Sequence, residues 1–314
     1  MKRFIINAAC FCILLAALAA AFILVVLPAI DLDLSSFDYW SKKIASLSSV
    51  DDGRPRMVLV GGSNLAYGVD NQLLEDELGG GFKVINLGLN AGIGVGLQFD
   101  LIDDALRDGD VIVYAGEYMM LGDGWNGALP VLVYRCDVMR RNLLTAHRGG
   151  LWSDYPTGAV RRYVREKLYK LIGRSSEGAN GGTVLENGME ERLFRLAAPT
   201  VEYVQRPVPQ ATDYRLSREI GARLMAIDKA YSQRGVRLLI SAPTYDKRQY
   251  LLESSAIEKM YEDLESQFGL TVISCPRMYS FPLEEMLNTE WHVNTIGRAR
   301  RTKRLAQDIK RYIP

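Results

Sequence analysis

Histidine is scarce in this chain of 314 residues, since only His147 and His292 carry an imidazole. A zinc site rich in imidazole needs two or three histidines, so any such site would depend on carboxylates or thiols. The four cysteines form no CxxC pair, which argues against structural zinc. The sequence therefore predicts no metal site.

The chain also lacks an excess of charge, because 38 Lys and Arg residues stand against 37 Asp and Glu, a formal net charge of +1. No global electrostatic field would attract polyanions, so nucleic acid is not an expected partner. A hydrophobic content of 48% also excludes a disordered chain. Binding must therefore depend on a local site.

Two of the cysteines, Cys10 and Cys12, lie in an apolar N-terminal segment, and the other two are Cys136 and Cys275. The latter pair could form one disulfide or remain as two buried thiols. We favour buried thiols, because Cys275 directly follows an apolar strand and nothing in the sequence places Cys136 beside it.

Residues 4–30 contain no Asp, Glu, Lys or Arg, and this run is long enough to cross a bilayer as a helix. A cleaved signal peptide would have a shorter apolar core, so residues 1–30 are interpreted as an uncleaved anchor with residues 4–28 in the membrane. Basic residues precede the run and acidic residues follow it, at Lys2 and Arg3 and at Asp31, Asp33 and Asp38. The bulk of the chain is then expected on the outer side of the membrane.

After a tether at residues 31–56, short apolar runs alternate with helical patterns over residues 57–314, which is typical of an α/β fold with a parallel sheet. Five β-branched runs read as strands buried on both faces: Met57–Gly61, Lys83–Leu87, Asp110–Tyr114, Val236–Ile240 and Leu270–Ser274. Helices are predicted at Asn71–Leu78, Gly96–Arg107, Ser217–Gln233, Ala256–Phe268 and Thr295–Tyr312. We expect a flavodoxin-like, three-layer fold with a five-stranded parallel sheet.

The stretch between the third and fourth strands, at about residues 122–213, is too long for an ordinary connection. We interpret it as an inserted helical cap, with helices near 160–172 and 190–197. Such a cap would lie over, or lead to, the carboxyl ends of the strands, where ligands bind in open α/β sheets.

The first candidate for chemistry is the turn Gly61–Asn64, which follows the first strand and precedes a helix predicted to start near Asp70. Ser63 in this turn is a candidate nucleophile at the carboxyl edge of the sheet. Gly62 allows a tight turn, and the amides there could stabilise a negative oxygen. The alternative is that Gly and Ser serve the backbone turn alone.

The second candidate is His292, which lies between the fifth strand and the last helix and is expected at the same edge as Ser63. A nucleophile and its base need only meet in space, so His292 is a candidate general base. The alternative is a packing histidine. Asn294 is a suitable N-cap for the last helix.

The third candidate is the loop Asn86–Gly92 after the second strand, where the Gly88 amide and the Asn90 side chain could donate to an oxyanion. The alternative is an ordinary Gly-rich loop before a helix. Its G-x-G-x-G string at Gly92, Gly94 and Gly96 lacks the spacing of a dinucleotide fingerprint, so no cofactor is predicted.

Together these motifs resemble the SGNH (GDSL-like) hydrolase superfamily, whose members are esterases, lipases and carbohydrate acetyl-group enzymes. The stretch Trp291–Arg298 is similar to the end of membrane-anchored bacterial SGNH-like proteins that occur with cell-surface polysaccharide acylation. The resemblance implies a nucleophilic Ser63, a base His292 and an oxyanion donor in the Gly88 amide. It also implies a bacterial inner or cytoplasmic membrane location.

The chain departs from the family pattern at two places. The sequence Gly116-Glu117-Tyr118 stands where the family has Gly-x-Asn, so one oxyanion donor is missing, and Glu117 and Tyr118 are expected to line the pocket. The family acid before the histidine is replaced by Asn288 or Thr289. Asn288 could still orient the imidazole, as in Cys-His-Asn sites, and Glu290 is the alternative partner.

These observations predict a membrane-anchored serine acyl esterase or O-acyltransferase that acts on cell-envelope carbohydrate. Its partners would be an acylated carbohydrate or another small ester, and the envelope polysaccharide machinery. The alternative is a catalytically degenerate protein of the same fold that binds or assembles envelope polysaccharide components.

The last helix is rich in basic residues, and we interpret them as a solvated face with phosphate polymers or lipid headgroups as an alternative partner. These residues are Arg298, Arg300, Arg301, Lys303, Arg304, Lys310 and Arg311.

Overall fold

The computed structural model describes residues 2–21, 43–49, 52–89, 91–122, 124 and 191–313. These residues fall into two units, of which the first contains helix α1 (Lys2–Ala21) and the second contains the rest. Within the described ranges, no helix combines the length and the apolar character that a membrane span requires. The predicted membrane segment continues beyond α1 into residues outside the described part.

The second unit is built on a parallel sheet of four strands: β1 (Arg56–Gly61), β2 (Lys83–Gly88), β3 (Val111–Ala115) and β4 (Arg237–Ile240). Their spatial order is β2-β1-β3-β4. The last residue of β1, Gly61, pairs with Gly88 on one side and with Ala115 on the other. The carboxyl ends of these strands therefore share one edge, and the turn carrying Ser63 leaves from its middle.

The predicted fifth strand is present only as a single parallel bridge between Val272 and Ile240. Ile240 donates to the Thr271 carbonyl at 2.8 Å and accepts from the Ile273 amide at 2.9 Å. The pairing stops there, because the next donor, the Ala242 amide, bonds to the Ser274 hydroxyl instead of to main chain. The sheet in the described residues therefore has four strands instead of the predicted five. A separate parallel pair joins β5 (Tyr245–Asp246) and β6 (Ser280–Phe281).

Helices cover both faces of the sheet, so the unit has three layers. The longer ones are α8 (Arg218–Ser232), α9 (Lys247–Ser266) and α10 (Thr295–Ile309). The shorter ones are α2 (Ser63–Gly68), α3 (Asn71–Glu77), α4 (Val95–Asp100), α5 (Tyr118–Gly122), α6 (Glu191–Phe194) and α7 (Val201–Gln205). Single 3₁₀ turns occupy Ala91–Ile93, Asp103–Ala105, Pro276–Tyr279 and Leu283–Glu285.

Alternate residues of each strand point to opposite faces, and each face has its own apolar core. Val58, Val60 and Ile112 pack with residues of α4, α8 and α9. Met57 and Leu59 pack with residues of α2, α3 and α10 on the other face. Burial on both faces explains why these strands read as continuous apolar runs.

Residues 43–49, which were expected to be part of a tether, are helical and belong to the second unit. Leu47 is fully buried in the apolar core, and the buried Lys43 ammonium donates to the Gly88 carbonyl at 2.7 Å. The packed part of the chain thus begins before the first strand.

Most of the predicted cap, including its helix near 160–172, lies outside the described residues, and so does Cys136. The part that is described contains α6 and α7. Cys275 is a free thiol, but its residue is exposed, so the expectation of a buried thiol was wrong at this position. It follows the Val272 bridge at a point where the chain has already left the sheet.

Candidate active site

Ser63 follows the end of β1 by two positions and is the first residue of α2, a short helix that was not predicted. Gly62 between them is required sterically, because a Cβ there would lie 1.9 Å from Glu117 Oε2. The helix predicted to start near Asp70 is α3, and Asp70 caps it by accepting from the Leu73 amide. The short turn places the Ser63 side chain, which is half-buried, at the carboxyl edge of the sheet.

A closed loop before α10 presents His292. The Leu287 amide donates to the His292 carbonyl at 2.8 Å, and Met286 and Val293 form an antiparallel bridge. Asn294 ends the loop as the N-cap of α10, accepting from two amides of its first turn. The loop thereby holds the side chains of Asn288 and His292 next to each other.

Three of the predicted residues form one chain of hydrogen bonds. His292 Nε2 lies 2.9 Å from Ser63 Oγ, and His292 Nδ1 lies 2.9 Å from Asn288 Oδ1. An amide oxygen only accepts, so Nδ1 carries the ring proton and Nε2 accepts from the serine hydroxyl. This tautomer is the one that a serine needs from its general base.

The imidazole is packed against an aromatic ring, since Tyr67 stacks on His292 with 4.1 Å between ring centroids and 15° between planes. Desolvation in this packing lowers the pKa of His292 to about 3. The imidazole is therefore neutral at physiological pH, so its Nε2 lone pair can accept the hydrogen bond from Ser63 Oγ.

Asn64, the residue after Ser63, is bonded through every polar group it has. Its amide donates to Glu117 Oε1 at 3.1 Å and its Nδ2 donates to the Ala115 carbonyl at 2.8 Å. Its carbonyl and its Oδ1 accept from the guanidinium of Arg301, at 2.5 and 2.7 Å. The turn that carries the serine is thus fixed to β3 and to α10.

Glu117 and Arg301 are both buried beneath this turn. Burial raises the pKa of Glu117, whereas burial lowers the pKa of Arg301 to about 10, which leaves the guanidinium charged at neutral pH. Glu117 was expected to line the pocket, but it lies under Gly62 and Asn64 instead. Its role in the structure is to hold the turn.

Tyr118 was also expected in the pocket, but its side chain is fully buried in an aromatic cluster. Its ring meets those of Tyr245 and Trp291 at 5.2 and 5.6 Å between centroids. Trp291 precedes His292 in the chain, so this aromatic cluster packs against the loop that carries the histidine. Glu290, on the other side of Trp291, pairs with Arg206 at 3.7 Å, and the Nδ1 of His292 bonds to Asn288.

The predicted oxyanion donors are only partly available. The Gly88 amide donates to Asn86 Oδ1 at 2.9 Å, so in this conformation it is not free to bind an oxyanion. Asn90 lies outside the described residues. The Ser63 amide makes no hydrogen bond within the described residues, which leaves it as the available donor.

Sequence reasoning missed Arg301 and Tyr67. Arg301 looked like one of several cations on a solvated face, yet its side chain is fully buried, as is nearly all of Arg298. The available signal was its spacing, because Arg301 shares one stripe of α10 with the apolar residues Leu305 and Ile309.

No protein-family model matches the chain, and no curated protein is significantly similar to it in sequence. The function of the site therefore has to be inferred from its geometry.

Proposed function

We propose that the chain is a serine acyl esterase or O-acyltransferase, with Ser63 as the nucleophile, His292 as the general base and Asn288 as the residue that orients the base. The observation that carries the proposal is the hydrogen-bonded series Ser63–His292–Asn288, with 2.9 Å at each contact. Two elements separated by 229 positions in sequence meet to form it. Nucleophile, base and orienting group in this order are the working parts of serine acyl transfer.

In the first half of the reaction, Ser63 Oγ attacks the carbonyl carbon of an ester and its proton passes to His292 Nε2. The tetrahedral oxyanion is held by the Ser63 amide. When the C–O bond to the alcohol breaks, Nε2 returns the proton to the leaving oxygen, and an acyl-serine remains.

In the second half, water or an alcohol hydroxyl attacks the acyl-serine while Nε2 takes its proton. When the acyl–Oγ bond breaks, Nε2 returns the proton to Ser63 Oγ, and the free serine is restored. Water as the acceptor gives an esterase, and a sugar hydroxyl gives an acyltransferase. Asn288 keeps the imidazole oriented in both halves, although a neutral amide stabilises the imidazolium less than a carboxylate does.

The wider proposal is a membrane-anchored SGNH-type protein of the bacterial envelope, with a flavodoxin-like fold and an acylated envelope carbohydrate as substrate. It is supported by the order of the motifs along the chain, by the parallel three-layer domain and by the uncharged run at residues 4–30. The inner or cytoplasmic membrane would place the domain on the outer side, beside the envelope polysaccharide machinery.

One observation favours a second candidate, a catalytically degenerate protein that binds envelope polysaccharide. The Gly88 and Asn64 amides are both engaged within the protein, at Asn86 and Glu117 respectively. Loss of one oxyanion donor costs about a hundred- to a thousandfold in turnover. A site with the Ser63 amide alone would be slow.

The test is covalent labelling of the purified full-length chain with a fluorophosphonate, which reacts with activated serines. We expect the wild type to be labelled, Ser63→Ala to be unlabelled, and His292→Ala to be labelled about a hundred- to ten-thousandfold more slowly. The matched control is Ser266→Ala, whose exposed hydroxyl only bonds to the Glu262 carbonyl at a helix end.

Circular dichroism of each variant shows whether it is folded. Labelled wild type and control, with loss in both site variants, would support the acyl-transfer function and direct a screen of acetylated glycans as donors and acceptors. A folded wild type that resists labelling would reject the enzyme in favour of the binding protein.

A further inference from the structure

Helix α10 has a second basic face, separate from the buried stripe that contains Arg301. Arg300, Lys303 and Arg304 lie on this face, and Arg277 approaches it from the 3₁₀ turn Pro276–Tyr279. Between them is a cavity of about 400 Å³. None of the residues that line the cavity is a carboxylate.

The four cations of this cavity differ in how they are balanced. Arg300 pairs with Glu285 at 2.9 Å, and Arg304 pairs with Asp308 at 3.3 Å. Arg277 and Lys303 have no ion pair within the described part of the chain, and both are exposed. The cavity therefore presents two positive charges that the protein does not neutralise.

The wall of the cavity is partly apolar. The Met278 side chain is 48% exposed, and Arg300 lies over the ring of Phe281 at 4.5 Å from its centroid. Stacking of this kind holds the guanidinium in one orientation, in which Nη1 of Arg300 pairs with Glu285. The volume lies in the range of small-molecule pockets and exceeds what an inorganic ion alone would fill.

We propose that this cavity, the Arg277–Lys303 site, binds the phosphate group of a phosphorylated ligand whose apolar part contacts Met278. Phosphate suits the site because arginine donates two parallel hydrogen bonds to its oxygens and because two unpaired cations match its charge. The site is independent of the Ser63–His292 pair, from which it is separated by the two faces of α10.

The test measures binding of sodium pyrophosphate to the full-length chain by isothermal titration calorimetry. A second measurement is the excess of co-sedimentation with vesicles containing phosphatidylglycerol over vesicles of phosphatidylcholine alone, which cancels binding through the apolar N-terminal run. It is needed because a phosphate group can belong to a soluble molecule or to a lipid. The site variant is Arg277→Gln/Lys303→Gln. The matched control is Arg218→Gln/Lys229→Gln, which removes two exposed cations from α8.

We expect the site variant to weaken binding at least about tenfold and the control to bind like the wild type. Loss of pyrophosphate binding would identify a soluble ligand, and loss confined to phosphatidylglycerol vesicles would identify a lipid headgroup. The proposal is overturned if the wild type binds neither probe, or if site and control variants weaken binding equally. Fluorophosphonate labelling should be equal in all three proteins, so this outcome is separate from the fate of the proposed enzyme.

Discussion

Asn288 accepts the Nδ1 proton of His292 at 2.9 Å but carries no charge, and this one property separates it from an aspartate of almost the same shape. A carboxylate in its place would favour the protonated imidazole, which forms when the base takes the serine proton. The site therefore has the orientation of a triad without the electrostatic support. We therefore expect a single substitution at position 288 to increase the reactivity of Ser63.

We predict that Asn288→Asp increases the rate constant of fluorophosphonate labelling at neutral pH by at least about tenfold, because it stabilises the imidazolium. Asn288→Ala should decrease the rate, since it removes the acceptor at Nδ1. The side chain is half-buried, so the carboxylate can be accommodated. Equal losses in both variants would show that position 288 contributes shape alone.

The labelling rate constant should also depend on pH in a defined direction. Desolvation lowers the pKa of His292 to about 3, so the wild type should keep a constant labelling rate as pH falls from 7 to about 5. In Asn288→Asp the pKa of His292 rises, and the acid decline should move toward neutrality. In the wild type, the folded state resists protonation, so this histidine also costs stability as pH falls from the ordinary pKa toward 3.

At the scale of elements, the sequence predicts the bounds of strands and helices where apolar runs and capping residues mark them locally. Four of the five strands and the α8 helix were predicted within one or two residues, because apolar runs and the Ser217 N-cap are local signals. Helix α9 begins at Lys247, nine residues before its predicted start, since its N-cap Asp246 is also the last residue of the two-residue strand β5. A single Asp and a strand of two residues also occur in ordinary loops, so the sequence does not distinguish this helix start from a loop.

The positions of Ser63 and His292 could be predicted because parallel strands end at one edge. The roles of Arg301 and Glu117 could not, because a charged side chain is buried only when a partner from another element satisfies it. Here that partner is Asn64, which follows the serine. The basic pattern of α10 conceals two faces, one buried against the serine turn and one at the surface.

We predict that Arg301→Lys lowers the labelling rate constant about tenfold, because one ammonium cannot bond both the carbonyl and Oδ1 of Asn64 in the planar geometry of a guanidinium. The matched control is Arg298→Lys on the same buried stripe, which donates to the Phe194 carbonyl and should leave the rate unchanged. A double-mutant cycle with Asn64→Ala should show strong coupling to Arg301. Additive effects would mean that Arg301 does not act through Asn64.

At the scale of the whole molecule, the two edges of the sheet differ in what they carry. The carboxyl edge carries Ser63, while the amino edge is closed by a buried ion pair in which Arg56 Nη2 lies 2.5 Å from Asp110 Oδ2. Arg56 also donates to the carbonyls of Leu47 and Ala105, and so joins the 43–49 helix and the Asp103–Ala105 turn to β1. Both side chains are 3% exposed.

We predict that Asp110→Ala lowers the free energy of unfolding by about 3–5 kcal/mol, because it leaves the Arg56 guanidinium buried without its counter-charge. The double variant Arg56→Met/Asp110→Leu should recover much of this loss, since apolar side chains of similar volume can replace a buried pair. Urea unfolding gives the stability, and labelling corrected for the folded fraction gives the activity of the site. Because the pair lies at the opposite edge from Ser63, the corrected rate constant should equal that of the wild type in both variants. A lower corrected rate constant in Asp110→Ala would show that strain at the amino edge reaches the serine turn through β1, and that the sheet couples stability to the site.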